Sequence, residues 1–323
     1  MKSVIDTLAP VFLVIAIGVI LRWTRRLSDE SLRGMSWLVF WVALPAMLFA
    51  DVAGIDHPAA KAATDADYQH QLHIFLISVS GMVACIIAGY VVAGALKMPR
   101  EKVGTFVQTA FRGNLAYIGL PVIQYAFISL AGEGAGVSAR RDAALALAPL
   151  IMIYNVLAVI VLLAGQHQMS AKTLGRMARQ IITNPLILAC AAGLLWNAGG
   201  LTMPKSAANT LRIMGSTALP LALLTVGAAI ATTRFTGQVL YTGLAVFLKS
   251  VFAPIVGYLV ARLLHAAPRE TFIALLLLAC PTAVAAYVMA EHMKGDAHLA
   301  AQTVVVSTLL SIVGFAVVIL LMS

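Results

Sequence analysis

Charge is what this chain of 323 residues has least of, with Asp, Glu, Lys and Arg making up 11% of it, where soluble domains carry about 25%. An ordinary soluble enzyme is excluded on that ground. Cysteine is scarce as well. Cys85, Cys190 and Cys280 all lie in apolar stretches, without a CxxC or Cys/His spacing, and read as buried thiols rather than a disulfide frame or a zinc site. Aromatics amount to 7%, and no basic run interleaves with them or with glycines, so nothing supports a nucleic-acid partner.

Hydrocarbon is what the chain has in abundance: 61% of it is hydrophobic. A bilayer core of about 30 Å takes about 20 helical residues to cross, so ten crossings use roughly 200 residues and leave room only for short loops. Apolar stretches of spanning length fall at 4–22, 35–53, 72–96, 103–128, 142–165, 181–199, 208–231, 239–264, 271–292 and 298–322, numbered here helices 1 to 10. Arg22, Arg25 and Arg26 follow the first run where a cleavage site would need small residues, so it reads as a retained helix. The net charge of +9 is mostly loop charge. Twelve basic residues fall in the loops after helices 1, 3, 5, 7 and 9, and eight on the opposite side. That bias predicts a multi-pass protein of the cell inner membrane with both termini outside, on the periplasmic side.

The sequence also repeats itself. At an offset of 175, Ala43-Leu44-Pro45 meets Ala218-Leu219-Pro220, Pro10 meets Pro185 and Gly18 meets Gly193. At an offset of 168, Gly89-Tyr90-Val91-Val92-Ala93 parallels Gly257-Tyr258-Leu259-Val260-Ala261. Two units follow, 1–165 and 166–323, each of five helices. An odd number of crossings inverts the second unit, and inverted repeats mark secondary transporters. The expected fold is an all-α integral membrane protein of ten transmembrane helices in two inverted five-helix repeats.

Helix 4 contains Arg112-Gly113-Asn114-Leu115-Ala116-Tyr117-Ile118-Gly119-Leu120-Pro121, and helix 9 contains Cys280-Pro281-Thr282-Ala283. Pro removes a backbone donor and clashes with the preceding turn. Breaks are therefore expected at Gly113, Pro121 and Pro281, beside a cavity rather than lipid. The repeat sets Arg112 to Asn114 opposite Cys280 to Ala283, which brings both irregularities together.

These residues resemble the auxin efflux carrier family, whose bacterial relatives include proteins assigned as malonate transporters, within the wider bile-acid/sodium symporter-like superfamily. The resemblance rests on Asn114-x4-Gly119-Leu120-Pro121, Ala43-Leu44-Pro45, Tyr154-Asn155, Asn184-Pro185, Lys249-x4-Pro254 and Pro281 through Ala290, and covers nearly the whole chain. It implies helices 1, 2, 6 and 7 as a scaffold, with a homodimer through them. Helices 3–5 and 8–10 become a moving transport domain in which helices 4 and 9 cross. It also implies elevator-like transport of organic anions.

Arg112 is the foremost site residue. A guanidinium near the bilayer centre costs about 2.5 to 3.5 kcal/mol on insertion scales, so it either binds a substrate carboxylate, for which its planar donor fork is suited, or makes an internal contact or snorkels. Asn114 and the opened backbone would complete the anion shell, with Asn155, Tyr117, Pro281 and Thr282 around it. The plant members of the family have no basic residue at this position, which favours a smaller, more acidic substrate. Lys249, also inside a span, either stands in for a coupling cation or balances substrate charge, or else snorkels or pairs with a helix C-terminus. Glu291 is a candidate for proton coupling; otherwise it belongs, with His292, Asp296 and His298, to a solvated turn. His57, His70 and His73 share a polar stretch with Asp56, Asp65 and Asp67 but lack ligand spacing, so no metal site is expected. Gln302, Thr303, Ser307, Thr308 and Ser311 fit interhelical hydrogen bonds or a cavity wall.

The expectation is a secondary transporter of a small organic anion such as the dicarboxylate malonate. It needs no cofactor, and a proton or sodium remains open as coupling ion. An aromatic monocarboxylate is the alternative, then a channel or facilitator. A membrane-embedded enzyme would need a nucleophile and base or a metal cluster at one depth, and neither HExxH, paired intramembrane aspartates nor a Ser/His arrangement is present.

Overall fold

The computed structural model describes residues 2–53, 65–166, 179, 182–232 and 238–322. The helices among them keep the sequence numbering. Helix 1 is Lys2–Trp23, helix 2 is 29–52, helix 3 is Asp65–Ala95 and helix 5 is Glu133–Gln166. Helix 6 is Pro185–Ala198, helix 7 is 205–232, helix 8 is Val239–Leu263 and helix 10 is Ala297–Met322. Helices 4 and 9 are interrupted. The first runs as Arg100–Phe111 (4a) and 115–131 (4b), the second as Pro268–Leu278 (9a) and Ala285–His292 (9b). Five lengths are long and apolar enough to cross a membrane, namely Asp29–Ala50, Gln69–Ala95, Lys205–Ala228, Val239–Leu263 and Ala297–Leu321, and shorter apolar helices accompany them.

Several helices start earlier than the apolar runs. Helix 2 begins at Asp29, where the Ser28 hydroxyl caps it by accepting from the Ser31 N–H and Asp29 and Glu30 occupy the first turn. Helices 3 and 5 gain about two turns or slightly more of mostly polar sequence ahead of 72 and 142. Hydropathy marks the hydrocarbon and not the end of hydrogen bonding, so the extra turns stand outside it. Asn184 caps helix 6 and Pro185 takes its first position.

Three prolines produce a wide turn instead of a break. Val39–Ala43 precedes Pro45, Leu115–Gly119 precedes Pro121 and Leu248–Phe252 precedes Pro254, each as a five-residue π-helical stretch. In each, the residue just before the proline donates five residues back, as Leu44 N–H does to the Val39 carbonyl. The bulge moves the fourth carbonyl back away from the proline ring, which has no N–H to offer it. Pro121 therefore lies within a continuous helix, and the interruption of helix 4 sits upstream at Arg112–Asn114.

Helix 1 packs along helix 7, and helix 2 along helix 6. The first pair touches backbone to backbone: a Cβ on Gly18 would fall 2.4 Å from the Leu224 carbonyl oxygen, and one on Gly227 would fall 2.1 Å from that of Ile15. Small residues permit such approach in membrane packing. Helix 3 packs on helices 8 and 9a, and helix 4 on helix 5.

Polar contacts gather at two ends. At one, Ser36 donates to Glu291 (2.5 Å), the Phe40 ring stacks on His292, and Lys102, Gln238 and the Thr105 hydroxyl all meet Asp296. At the other, His70 and His73 of helix 3 turn Nδ1 toward the two carboxylate oxygens of Glu270, in the first turn of helix 9a, while Arg269 reaches Asp142 and Ser138 of helix 5. Burial opposes ionisation of Glu270. The bonds from both histidines and the Ala267 N–H outweigh it and hold the carboxyl below its ordinary range.

Candidate functional site

Both interruptions expose backbone groups that a membrane interior would leave without partners. They satisfy each other. Gly113 and Thr282 form an antiparallel bridge, the Asn114 N–H donates to the Pro281 carbonyl (2.8 Å) and the Ala283 N–H to the Arg112 carbonyl (2.9 Å). Helix 10 adds a further tie, since the Ser307 hydroxyl accepts from the Thr282 N–H (3.0 Å), and the Thr282 hydroxyl donates to the Thr109 carbonyl at the end of helix 4a (2.9 Å). Pro281 is buried within this knot. Thr282 thus holds the paired backbone together and does not line the adjoining cavity.

That cavity has a volume of about 80 Å³, enough for a few waters or a small carboxylate and well below the pockets of about 300 to 1,000 Å³ that take drug-sized ligands. Arg112, Gly113, Asn114 and Leu115 form one wall with Ala283 to Ala285, and Ile151, Tyr154 and Asn155 of helix 5 form another. Leu44, Met47 and Leu48 of helix 2 and Ala218, Leu219 and Ala222 of helix 7 close it.

Arg112 is 6% exposed and is the one charged residue of the lining. One terminal nitrogen donates to Asn155 Oδ1 (2.5 Å) and the other to the Met289 sulfur, and among the described residues no carboxylate pairs with it. The Asn155 amide is itself fixed, donating to the Ile151 carbonyl (2.7 Å). Asn114 is 5% exposed, and its side-chain nitrogen has no partner. A buried cation with no counter-charge among the described residues and an orphaned amide donor therefore share one wall. Both are costly to keep dry and unpaired, and both are donors, so the chemistry they suit is an anionic oxygen.

Lys249 stands outside the lining. Its ammonium, 1% exposed, donates to the carbonyl of Leu278, the last residue of helix 9a, where the helix dipole favours a cation. It lies directly behind the break, since a Cβ on Gly113 would stand 3.4 Å from Nζ. The chain belongs to a known family. The family described as membrane transport protein matches residues 3–319, nearly the whole chain, and it is that of the auxin efflux carriers. No curated protein matches the chain. Membership, together with the apolar helices, makes this protein a membrane transporter and an integral membrane protein.

Of the site residues singled out from sequence, Arg112, Gly113, Asn114 and Asn155 line this transporter's cavity, and Pro281 and Thr282 form the pairing beneath it. Tyr117 lies in the wide turn after the break, and its side chain is outside the described residues. Glu291 bonds to Ser36 at one end of the helices and does not line the cavity. His57 and Asp56 also fall outside the described residues. Sequence reasoning passed over Met289, whose sulfur serves both Arg112 and the Gln108 amide (3.6 Å), and the walls from helices 2 and 7. The signal for those walls was in hand: the repeated Ala-Leu-Pro segments contain Leu44, Ala218 and Leu219.

Proposed function

We propose that the protein is a secondary-active transporter of a small organic anion, a dicarboxylate such as malonate, which binds at the paired breaks and crosses by elevator-type alternating access. The observation that carries this reading is the buried Arg112 guanidinium, without a carboxylate partner among the described residues, beside the unpaired Asn114 amide. One carboxylate satisfies that pair. The ammonium of Lys249 behind Gly113 gives the region a second positive charge, which suits a dianion.

In this reading ten helices span the inner membrane as two inverted repeats. The packing of helix 1 on 7 and of helix 2 on 6 supports it, because exchanging the halves turns each pair into the other. Helices 1, 2, 6 and 7 are the scaffold, and helices 3–5 and 8–10, which carry the breaks, are the moving part. The cavity lies where Leu44 and Leu219 of the scaffold face Arg112 and Asn155 of the moving part, the place at which a sliding motion changes access. Both termini lie on the periplasmic side, a homodimer forms through the scaffold, and Glu291, tied to Ser36 across the two parts, is the residue to test for proton coupling.

An aromatic monocarboxylate is the second reading, favoured by a lining with a single charge and otherwise mostly apolar walls and opposed by the cavity's volume of about 80 Å³. Recording from purified protein in liposomes challenged with malonate, succinate, benzoate and indole-acetate separates them, with labelled counterflow to detect electroneutral exchange. A saturable malonate signal that Arg112→Gln abolishes is expected. Silence to every anion in both assays refutes these substrates, and unchanged transport by Arg112→Gln refutes the role of the guanidinium.

A further inference from the structure

Helices 8 and 10 are both membrane-long, and they leave a second cavity between them of about 840 Å³, some ten times the volume at the breaks. Its walls are apolar, with Phe247 of helix 8 and Leu310 and Val313 of helix 10 prominent. The space exists because of small residues: at Gly243 and Gly314, both in the lining, no heavy atom lies within 4 Å of where a Cβ would stand. The lining on helix 8 extends from Gly243 to Leu259, about 24 Å of helix at 1.5 Å per residue. One acyl chain needs about half of a 30 Å hydrocarbon core.

One end of this groove is polar. Tyr258 lines it there, Leu321 closes the same end from helix 10, and Arg262, one turn beyond Tyr258, donates to its hydroxyl oxygen (3.3 Å). Arg262 is exposed in the last turn of helix 8, and among the described residues no carboxylate pairs with it. A guanidinium at the mouth of an acyl-length apolar groove is complementary to a phosphate that carries a hydrocarbon tail.

We propose that the groove between helices 8 and 10 is a binding site for one anionic glycerophospholipid, its phosphate on Arg262 and Tyr258 and one acyl chain laid along helix 8. The site is separate from the cavity at the breaks and shares no lining residue with it. Its occupant is a bilayer lipid rather than a second copy of the chain, because the lining holds no carboxylate to meet Arg262 and two copies apposed along helix 8 would bring their Arg262 guanidinium groups together at one depth, whereas a phosphate neutralises the charge.

The test uses full-length protein in liposomes containing phosphatidylglycerol with a photoactivatable acyl chain, and mass spectrometry maps the adducts. Labelling is expected to concentrate between residues 243 and 259 and between 306 and 321, and to be competed by unlabelled phosphatidylglycerol. Gly314→Trp fills the slot and is expected to lower labelling there at least tenfold. Arg262→Gln, an exposed change that leaves the fold intact, is expected to weaken competition by phosphatidylglycerol severalfold without moving the adducts. Labelling spread evenly over the apolar exteriors of helices 1, 6, 8 and 10, or unaltered by both substitutions, overturns the proposal. So do crosslinks from helix 8 of one copy to helix 8 of another in the same membrane, which would make the groove a contact between copies.

Discussion

Replacing Asn155 by Asp tests the proposed anion site with an almost isosteric change. Asn155 Oδ1 already accepts from the Arg112 guanidinium at 2.5 Å, so a carboxylate there gives the cation the partner it lacks. Two unit charges about 4 Å apart interact by about 4 kcal/mol at an effective dielectric constant of about 20. That is the attraction the substrate loses to the internal partner, and at about 1.4 kcal/mol per tenfold it weakens anion binding about a thousandfold. The Asp side chain also gives up the donor that Asn155 extends to the Ile151 carbonyl, a change that a neutral Asn155→Ala variant reproduces without the charge. Calorimetric titration of malonate into purified wild-type, Asn155→Asp and Asn155→Ala proteins separates the two effects. Binding by Asn155→Asp within tenfold of wild type refutes the reasoning, because Arg112 would then not supply the electrostatic attraction for the ligand.

Three further outcomes follow from the packing. Lys249→Met removes the donor to the Leu278 carbonyl from a fully buried place; an unpaired buried acceptor costs about 1 to 3 kcal/mol, read as a lower unfolding temperature in detergent, and an unchanged midpoint counts against the cap. Gly227→Ala sets a methyl against the Ile15 carbonyl and forces helices 1 and 7 apart, so destabilisation of about 1 to 3 kcal/mol or more is expected, whereas tolerance of the methyl would show that the helices separate freely. For Glu270 the folded-state pKa is depressed, so its contribution is present above the unfolded carboxyl value of about 4.3 and lost as pH falls through the folded value. Thermal unfolding of Glu270→Gln from pH 3 to 7 should accordingly lose the part of the acid-range slope that wild type shows, and identical slopes would contradict the assignment.

Long apolar runs made the helices legible, because crossing hydrocarbon demands both length and hydrophobicity of the same residues. Proline was a weaker guide. Breaks were expected at Gly113, Pro121 and Pro281, yet Pro45, Pro121 and Pro254 are each absorbed by a wide turn, and helix 4 is interrupted only around Gly113, where a side chain would crowd Leu115 and Lys249. A missing N–H can be accommodated within a helix. What opens the chain is the presence of another strand of backbone with which to pair. Arg112 and Asn155 were visible because polar groups are conspicuous in apolar sequence, whereas Met289 was not, since its sulfur accepts hydrogen bonds while counting as one more apolar residue. The meeting of Leu44 with Leu219 across the cavity depends on tertiary packing that hydropathy does not encode.

The bridge between Gly113 and Thr282 also bears on how the protein is made. Its two sides are separated by about 170 residues, which at about 5 to 20 residues per second take roughly 10 to 30 s to synthesise. For that interval the first five helices exist with the backbone at Arg112–Asn114 unmatched, and each polar group left so in hydrocarbon costs several kcal/mol. The nascent half must therefore keep its break in water, against the insertion machinery or at the membrane surface, until helix 9 arrives. Maturation would then end with the closing of this bridge, and a chain truncated just before Pro281 would be a target for quality control even with helices 1 to 8 in place.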